Sequence, residues 1–260
     1  MKGAAPPFFA RYGMTRTGDP EAPLLVDPYP EICHRGVLRR AVIAAAIDIV
    51  GSLHARELAG SDATFTTDLS VRAPNLASPK SLVARGTPLR TGRSLITSGV
   101  VLEADGAPVA YGQTTFMRVA RRGDDSADER DLAMPEVIHQ IPLERPLVEE
   151  VGIEVVDPAR GRVEVELRDA LRNPEGVMQG ALVALLAEVS AEVLADCTHV
   201  EPQVVTEIDV RYLATSRVGP ITAESKWIGD PESGMLRTQL RDRGNDDRLT
   251  AAVLLRTASV

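Results

Sequence analysis

The sequence predicts an α+β fold in which one unit, a long central helix wrapped by an antiparallel β-sheet, occurs twice. Three observations carry this. Two segments, Gly36 to Gly60 (GVLRRAVIAAAIDIVGSLHARELAG) and Gly176 to about Asp196, are too long for strands and carry Ala, Leu, Val and Ile on every side. A helix that is apolar all round is a buried one. Strand-like sequence follows each helix, and the two halves match residue for residue.

In chain order, residues 1–23 are rich in Pro, Gly and charge and are expected to form an irregular lead-in. After the first helix, TFTTDLSVRA alternates with period 2 through Phe65, Thr67, Leu69 and Val71, and SLVARGTPLR, SLITSGVVLEA and PVAYGQTTFMRVA follow. After the second come VVTEIDVRYLA, GPITAESKWIG, MLRTQLRDR and RLTAAVLLRTA, with turn signals at Asp105-Gly106 and Arg243-Gly244-Asn245. RVEVELRD precedes the second helix, and PLLVD (23–27) is its expected counterpart before the first. Thr67-Asp68-Leu69-Ser70-Val71-Arg72 matches Thr206-Glu207-Ile208-Asp209-Val210-Arg211. Ala84 follows Thr67 by seventeen positions, as Ala223 follows Thr206. Asp48 lies twelve after Gly36, as Glu188 lies twelve after Gly176. The charge-dense 120–136 suits a linker, which divides the chain into copies at 24–119 and 137–260.

Composition narrows the function. A net charge of −8 and 3% aromatic residues argue against a nucleic-acid partner, which wants a basic surface and stacking rings; any basic site here is local. Two cysteines and four unclustered histidines give no disulfide framework and no metal-ligand spacing. The N-terminus lacks the apolar core of a signal peptide, and no run of about 18 uncharged apolar residues could span a membrane. A soluble cytoplasmic protein without metal or membrane attachment is expected.

The stretch NPEGVMQGALVALLAEVSAEVL (173–194) places Glu188 in the middle of an apolar helix, where a carboxylate is costly unless used or satisfied. It resembles the motif of hotdog acyl-CoA thioesterases of the 4-hydroxybenzoyl-CoA and phenylacetyl-CoA thioesterase type. That motif runs Asn or Gln, two residues, Gly, two residues, His-Gly-Gly, then an acidic residue nine after the His. Asn173, Gly176, Gln179, Gly180 and Glu188 fall at those positions; Gln179 replaces the His and Ala181 the second Gly. The first half, in the same frame, offers Cys33, Gly36, Arg39, Arg40 and Asp48. The resemblance covers about 24–118 and 145–258 and implies a double hotdog, one chain imitating the family's dimer.

In the family, one protomer supplies the polar residue and the helix-start Gly, and the other supplies the acid. By resemblance, site one combines Asn173, Gln179 and Gly180 with Asp48 and Ser52. Site two combines Cys33 and Arg40 with Glu188 and Glu192, lacks the Asn, and has Arg where the substrate should approach closely. One competent site, built on Asp48, is expected; Glu188 is then the acid of a weakened site or its relic. Thioester hydrolysis needs donors aimed at an oxyanion, which a helix N-terminus supplies, and a carboxylate to attack or to activate water. The substrate is acyl-CoA, with no other cofactor. Its phosphates need basic side chains, for which Arg72, Arg93 and Arg211 are put forward beside Arg85 and Arg90, though no spacing selects among them. A non-catalytic acyl-CoA or lipid-binding hotdog is the alternative. A hydratase would want an Asp–His pair, and His54 lies on a different helix face from Asp48. Further assembly into a homo-oligomer is expected, since family members often pair twice.

Overall fold

The structure, a computed structural model, describes residues 8–60, 62–74, 80–120, 140–173 and 175–260. Nearly all of the expected linker, from residue 121 on, lies outside these. The first copy contains β1 (Met14–Arg16), β2 (Leu24–Val26), the hairpin β3 (Cys33–His34) and β4 (Val37–Leu38), helix α1 (Arg40–Ala59), then β5 (Ala63–Arg72), β6 (Leu82–Thr91), β7 (Leu95–Ala104) and β8 (Ala107–Val119). The second contains the short helix α2 (Leu147–Val151), β9 (Ile153–Asp157), β10 (Arg162–Val165), helix α3 (Gly180–Thr198), then β11 (Gln203–Tyr212), β12 (Ile221–Trp227), β13 (Met235–Asp242) and β14 (Arg248–Ser259).

Twelve strands form one sheet in the order β1-β2-β6-β7-β8-β5-β11-β14-β13-β12-β10-β9. The order is the same read from either end with the copies exchanged, so the seam between β5 and β11 marks a pseudo-two-fold axis. Arg72 pairs with Glu207 and Asp68 with Arg211 across it. Two expectations need correction. The lead-in is not irregular throughout: Phe8–Tyr12 is a 3-10 helix and β1 joins the sheet, with Tyr12 and Met14 fully buried. The helices also begin four residues later than expected. Gly36 (φ +76°) and Gly176 (φ +73°) belong to the turns before them, where left-handed backbone favours glycine.

α1 and α3 lie on one face of the sheet and run antiparallel, the start of each beside the middle of the other. Their apolar residues, including Ile47, Leu182, Leu185 and Leu186, are fully buried against Val71, Val100, Val210 and Leu240 from the strands. Each such Leu, Ile or Val contributes about 1.5–3 kcal/mol of burial free energy.

Strand alternation decides what faces the helices, and β5 departs from it. A bulge between Thr66 and Asp68 inserts Thr67, so Thr66, Leu69 and Val71 face inward rather than Phe65, Thr67, Leu69 and Val71 together. β11 carries the same bulge between Val205 and Glu207. Close helix–sheet contact also requires Gly112 on β8, where a methyl would run into the Ser70 carbonyl oxygen and the Ile47 side chain. Gly112→Ala is therefore expected to lower stability by about 1–3 kcal/mol by overpacking, read as a lower urea midpoint at unchanged slope.

Candidate active site

Asp48 sits midway along α1, below the surface but still in partial contact with solvent. The Thr66 hydroxyl donates to its Oδ1 at 2.9 Å, and the Thr114 hydroxyl approaches the same oxygen at 3.5 Å. Among the described residues Oδ2 accepts no hydrogen bond, and it faces the start of α3. A Cβ placed on Gly180 would lie 3.7 Å from Oδ2 and 3.3 Å from the Tyr212 hydroxyl, so glycine keeps this space open. Tyr212 donates to the Gly180 carbonyl oxygen at 3.1 Å; burial, with Asp48 nearby, holds it as the neutral phenol. Burial pushes the Asp48 carboxyl up to about 6, partly offset by the two threonine hydroxyls and the Arg56 charge.

The pseudo-symmetric position is built differently. Glu188, only 2% exposed, reaches the start of α1 and accepts from the Arg40 N–H at 2.8 Å and the Ala41 N–H at 2.9 Å. Arg40, standing where Gly180 stands in the other copy, is itself buried and donates to the Leu38 carbonyl oxygen at 2.6 Å. Arg39 pairs with the buried Glu192 at 2.9 Å. His34 lies 3.8 Å from Glu192, but burial and then Arg39 and Arg35 pull its pKa down to about 4, so it stays neutral and adds no ion pair. Burial pushes the Glu188 carboxyl up, with the Glu192 charge adding, while Arg39 and the two amides favour the anion. Glu188 thus caps the opposing helix, and a buried arginine stands where the other copy has glycine.

Of the site residues expected from the sequence, the structure brings Asp48 and Gly180 together. Gln179 precedes α3; its amide donates to the Arg172 carbonyl oxygen at 3.2 Å, and its Oε1 accepts no hydrogen bond among the described residues. Asn173 shapes the turn, its Oδ1 accepting from the Val177 N–H at 3.1 Å. Its counterpart in the first copy is His34, not Cys33: Cys33 pairs with Leu38 as Arg172 pairs with Met178, and the second turn is one residue longer. Ser52 does not hold Asp48, because its hydroxyl donates to the Ile49 carbonyl oxygen at 2.7 Å within the helix. Arg72 and Arg211 lie on the far side of the sheet, since Leu69 and Val71 take the inward positions. There they form ion pairs, Arg72 with Asp209 at 2.8 Å and Arg211 with Asp68 at 3.0 Å. Arg93 lies exposed in the turn between β6 and β7. Sequence reasoning missed Thr66, Thr114 and Tyr212. Thr66 was hidden by the bulge; Tyr212, one of four tyrosines, ends a strand that alternation alone would treat as core.

Two helix-and-sheet units back to back on a continuous sheet, each helix start facing a carboxylate of the other, define a double hotdog. No family model matches the chain. A 1,4-dihydroxy-2-naphthoyl-CoA hydrolase from Listeria monocytogenes is 31% identical over 87 residues, covering 32% of this chain and 70% of that protein. The chain belongs to the hotdog thioesterase family, in tandem form, and its class of reaction is thioester hydrolysis. Similar solved structures include an acyl-ACP thioesterase from Bacteroides thetaiotaomicron (TM-score 0.60, 11% identity, 90% of this chain and 96% of that one). An acyl-CoA thioesterase II from Mycobacterium marinum is also similar (TM-score 0.58, 16% identity, 91% and 92%). At these identities both speak for the fold. Among the described residues, no helix is long and apolar enough to cross a membrane.

Proposed function

We propose that the chain hydrolyses acyl-CoA thioesters at one site per chain, with Asp48 as general base and the start of α3 as oxyanion-binding site. The observation that carries this is the occupied twin. In the first copy the helix-start N–H groups of Arg40 and Ala41 hold a carboxylate, that of Glu188. The equivalent groups in the second copy belong to Gly180 and Ala181, and there the facing acid is Asp48, one methylene shorter, which leaves room for a carbonyl oxygen. First-turn N–H groups lack intrahelical partners and sit at the positive end of the helix dipole.

The proposed sequence is short. Oδ2 of Asp48 takes a proton from water as the water oxygen bonds to the thioester carbon. Negative charge passes to the carbonyl oxygen, where the α3 N–H groups stabilise it. Collapse breaks the carbon–sulfur bond, and Asp48 returns its proton to the departing thiolate, giving a carboxylic acid and free coenzyme A. Thr66 fixes the carboxylate through Oδ1 so that Oδ2 faces the substrate. In this reading the Gln179 Oε1, which accepts no hydrogen bond among the described residues, orients the water. A base with pKa near 6 is ionised at neutral pH yet still a useful proton acceptor.

Release of free thiol from a panel of acyl-CoA esters tests the reading. Wild type is expected to hydrolyse at least one acyl class. Gly180→Val, which puts a branched side chain between Oδ2, the tyrosine and the substrate carbonyl, is expected to reduce kcat/KM by about 10²-fold. Full activity in Gly180→Val would sink the proposed carbonyl position. Binding without turnover of every ester would favour the non-catalytic alternative.

A further inference from the structure

On the solvent side of the second copy, β10, β12 and β13 and their flanking turns enclose an open groove of about 350 Å³. Arg160, Arg162, Lys226, Arg237, Arg241 and Arg243 line it, against two carboxylates, Glu224 and Asp247. This is a local cationic excess in a chain whose net charge is −8. α3 covers the opposite face of these strands, where Val163, Ala223 and Leu240 are buried, so the groove is separate from Asp48 and Gly180.

The duplication supplies an internal control. Matching the strand registers puts Thr87 and Gly99 of the first copy where Lys226 and Arg237 stand in the second. Glu103 falls where Arg241 stands, and Asp105, two residues on, where Arg243 stands. The fold does not require positive charge there, since the other copy does without it.

The arrangement is also electrostatically uncompensated. Lys226 and Arg237 are direct cross-strand partners, a like-charge pairing that destabilises a sheet. Glu224 is shared between Arg160 (2.7 Å) and Lys226 (3.6 Å), and Asp247 between Arg241 (3.4 Å) and Arg243 (2.8 Å). Among the described residues Arg162 and Arg237 have no ion-pair partner. An anion carrying several charges would relieve this repulsion, and guanidinium forks match phosphate oxygens.

We infer that this groove is a second, non-catalytic site that binds a small molecule carrying two or more clustered phosphates. Every lining side chain is polar or charged. A protein partner would want an apolar or aromatic anchor at the centre of the patch. With no aromatic ring in the lining, phosphate rather than a base is what the site can recognise. The inference is independent of the thioesterase reading, because no residue is shared with it.

Titration calorimetry of the full chain with inorganic tripolyphosphate tests it, with ADP, phosphatidylserine vesicles and polyglutamate as comparisons. The expected result is saturable binding of one tripolyphosphate per chain, weakening with salt. Affinity should fall roughly tenfold or more in Lys226→Gln/Arg237→Gln and stay unchanged in Arg85→Gln, in the first copy. Arg237→Gln should also raise Tm without the anion while losing the Tm increase that tripolyphosphate gives wild type, an opposition that a purely structural arginine would not show. No saturable binding, binding equal in the double variant, or binding only to vesicles or polyglutamate would overturn the site.

Discussion

Asp48→Asn is expected to lower kcat by about 10²–10⁴-fold, the span that positioned acid–base catalysis supplies, and to make the protein more stable at neutral pH. Both effects come from one fact: the carboxylate is held in an environment that disfavours its charge. Its pKa rises from the ordinary 3.8 to about 6, with burial as the largest cause. In the unfolded chain Asp48 loses its proton near its ordinary value; in the folded chain it keeps the proton until about 6. Between those values the native state binds more protons than the unfolded state, so this residue's contribution makes stability fall as pH rises, and the loss is complete above about 6. The shift corresponds to on the order of 3 kcal/mol at most, reduced to about 1–2 kcal/mol because the carboxylate retains some solvent contact. Parallel urea titrations of wild type and Asp48→Asn at pH 4, 6 and 8 measure it: the variant's advantage should be small at pH 4 and level by pH 8. In wild type kcat/KM should drop below about pH 6. An advantage absent at every pH would mean that Asp48 is not held against its charge.

The opposite pattern is expected at the twin position. Glu188→Gln should destabilise the protein by about 3–5 kcal/mol, because it removes a buried charge that faces Arg39 and Arg40 and that holds two helix-start N–H groups. It should leave kcat per folded molecule unchanged. Arg40 is 2% exposed and cannot shed its proton, and Glu188 binds both the N–H of that residue and the start of its helix. A neutral amide offers one acceptor where the carboxylate offers two, and turns an N–H₂ toward N–H groups. The expected fall in Tm is on the order of 10 °C. If Glu188→Gln abolished hydrolysis while melting like wild type, the acid would belong to the other half and the assignment of the two sites would have to be exchanged.

How much of this was legible in the sequence varies by residue for physical reasons. Burial all round revealed both helices, and the equal spacing from turn glycine to acid revealed the duplication. Asp48 and Gly180 lie far apart in sequence, yet their meeting was legible through the resemblance, since sites of that family take the glycine from one protomer and the acid from the other. What faces the helices was not, because one inserted residue in β5 moves Thr66 to the inner face and no local pattern announces it. Ser52 is one turn from Asp48, but the backbone carbonyl of Ile49 is nearer and takes its hydroxyl, a common fate of serine within helices. Arg72 and Arg211 were attractive as isolated cations; the pleat sends them to the outer surface, where acids across the seam already pair with them. Cys33 was misplaced against Asn173 because the two turns differ by one residue, a difference invisible when a single spacing is carried through both copies.

The unlike ends of the two central helices have a consequence for what a fused chain can do. In an assembly of identical subunits, any change at one helix start is imposed on its mate, so tightening one pocket tightens both. Here a longer acid, two arginines and a second buried carboxylate separate the two. One half can act as a keystone, its helix start held by a bound carboxylate and locked charges, while the other keeps its acid uncomfortable and its entrance clear. Linking the copies lets rigidity and reactivity reside in different halves of the same molecule.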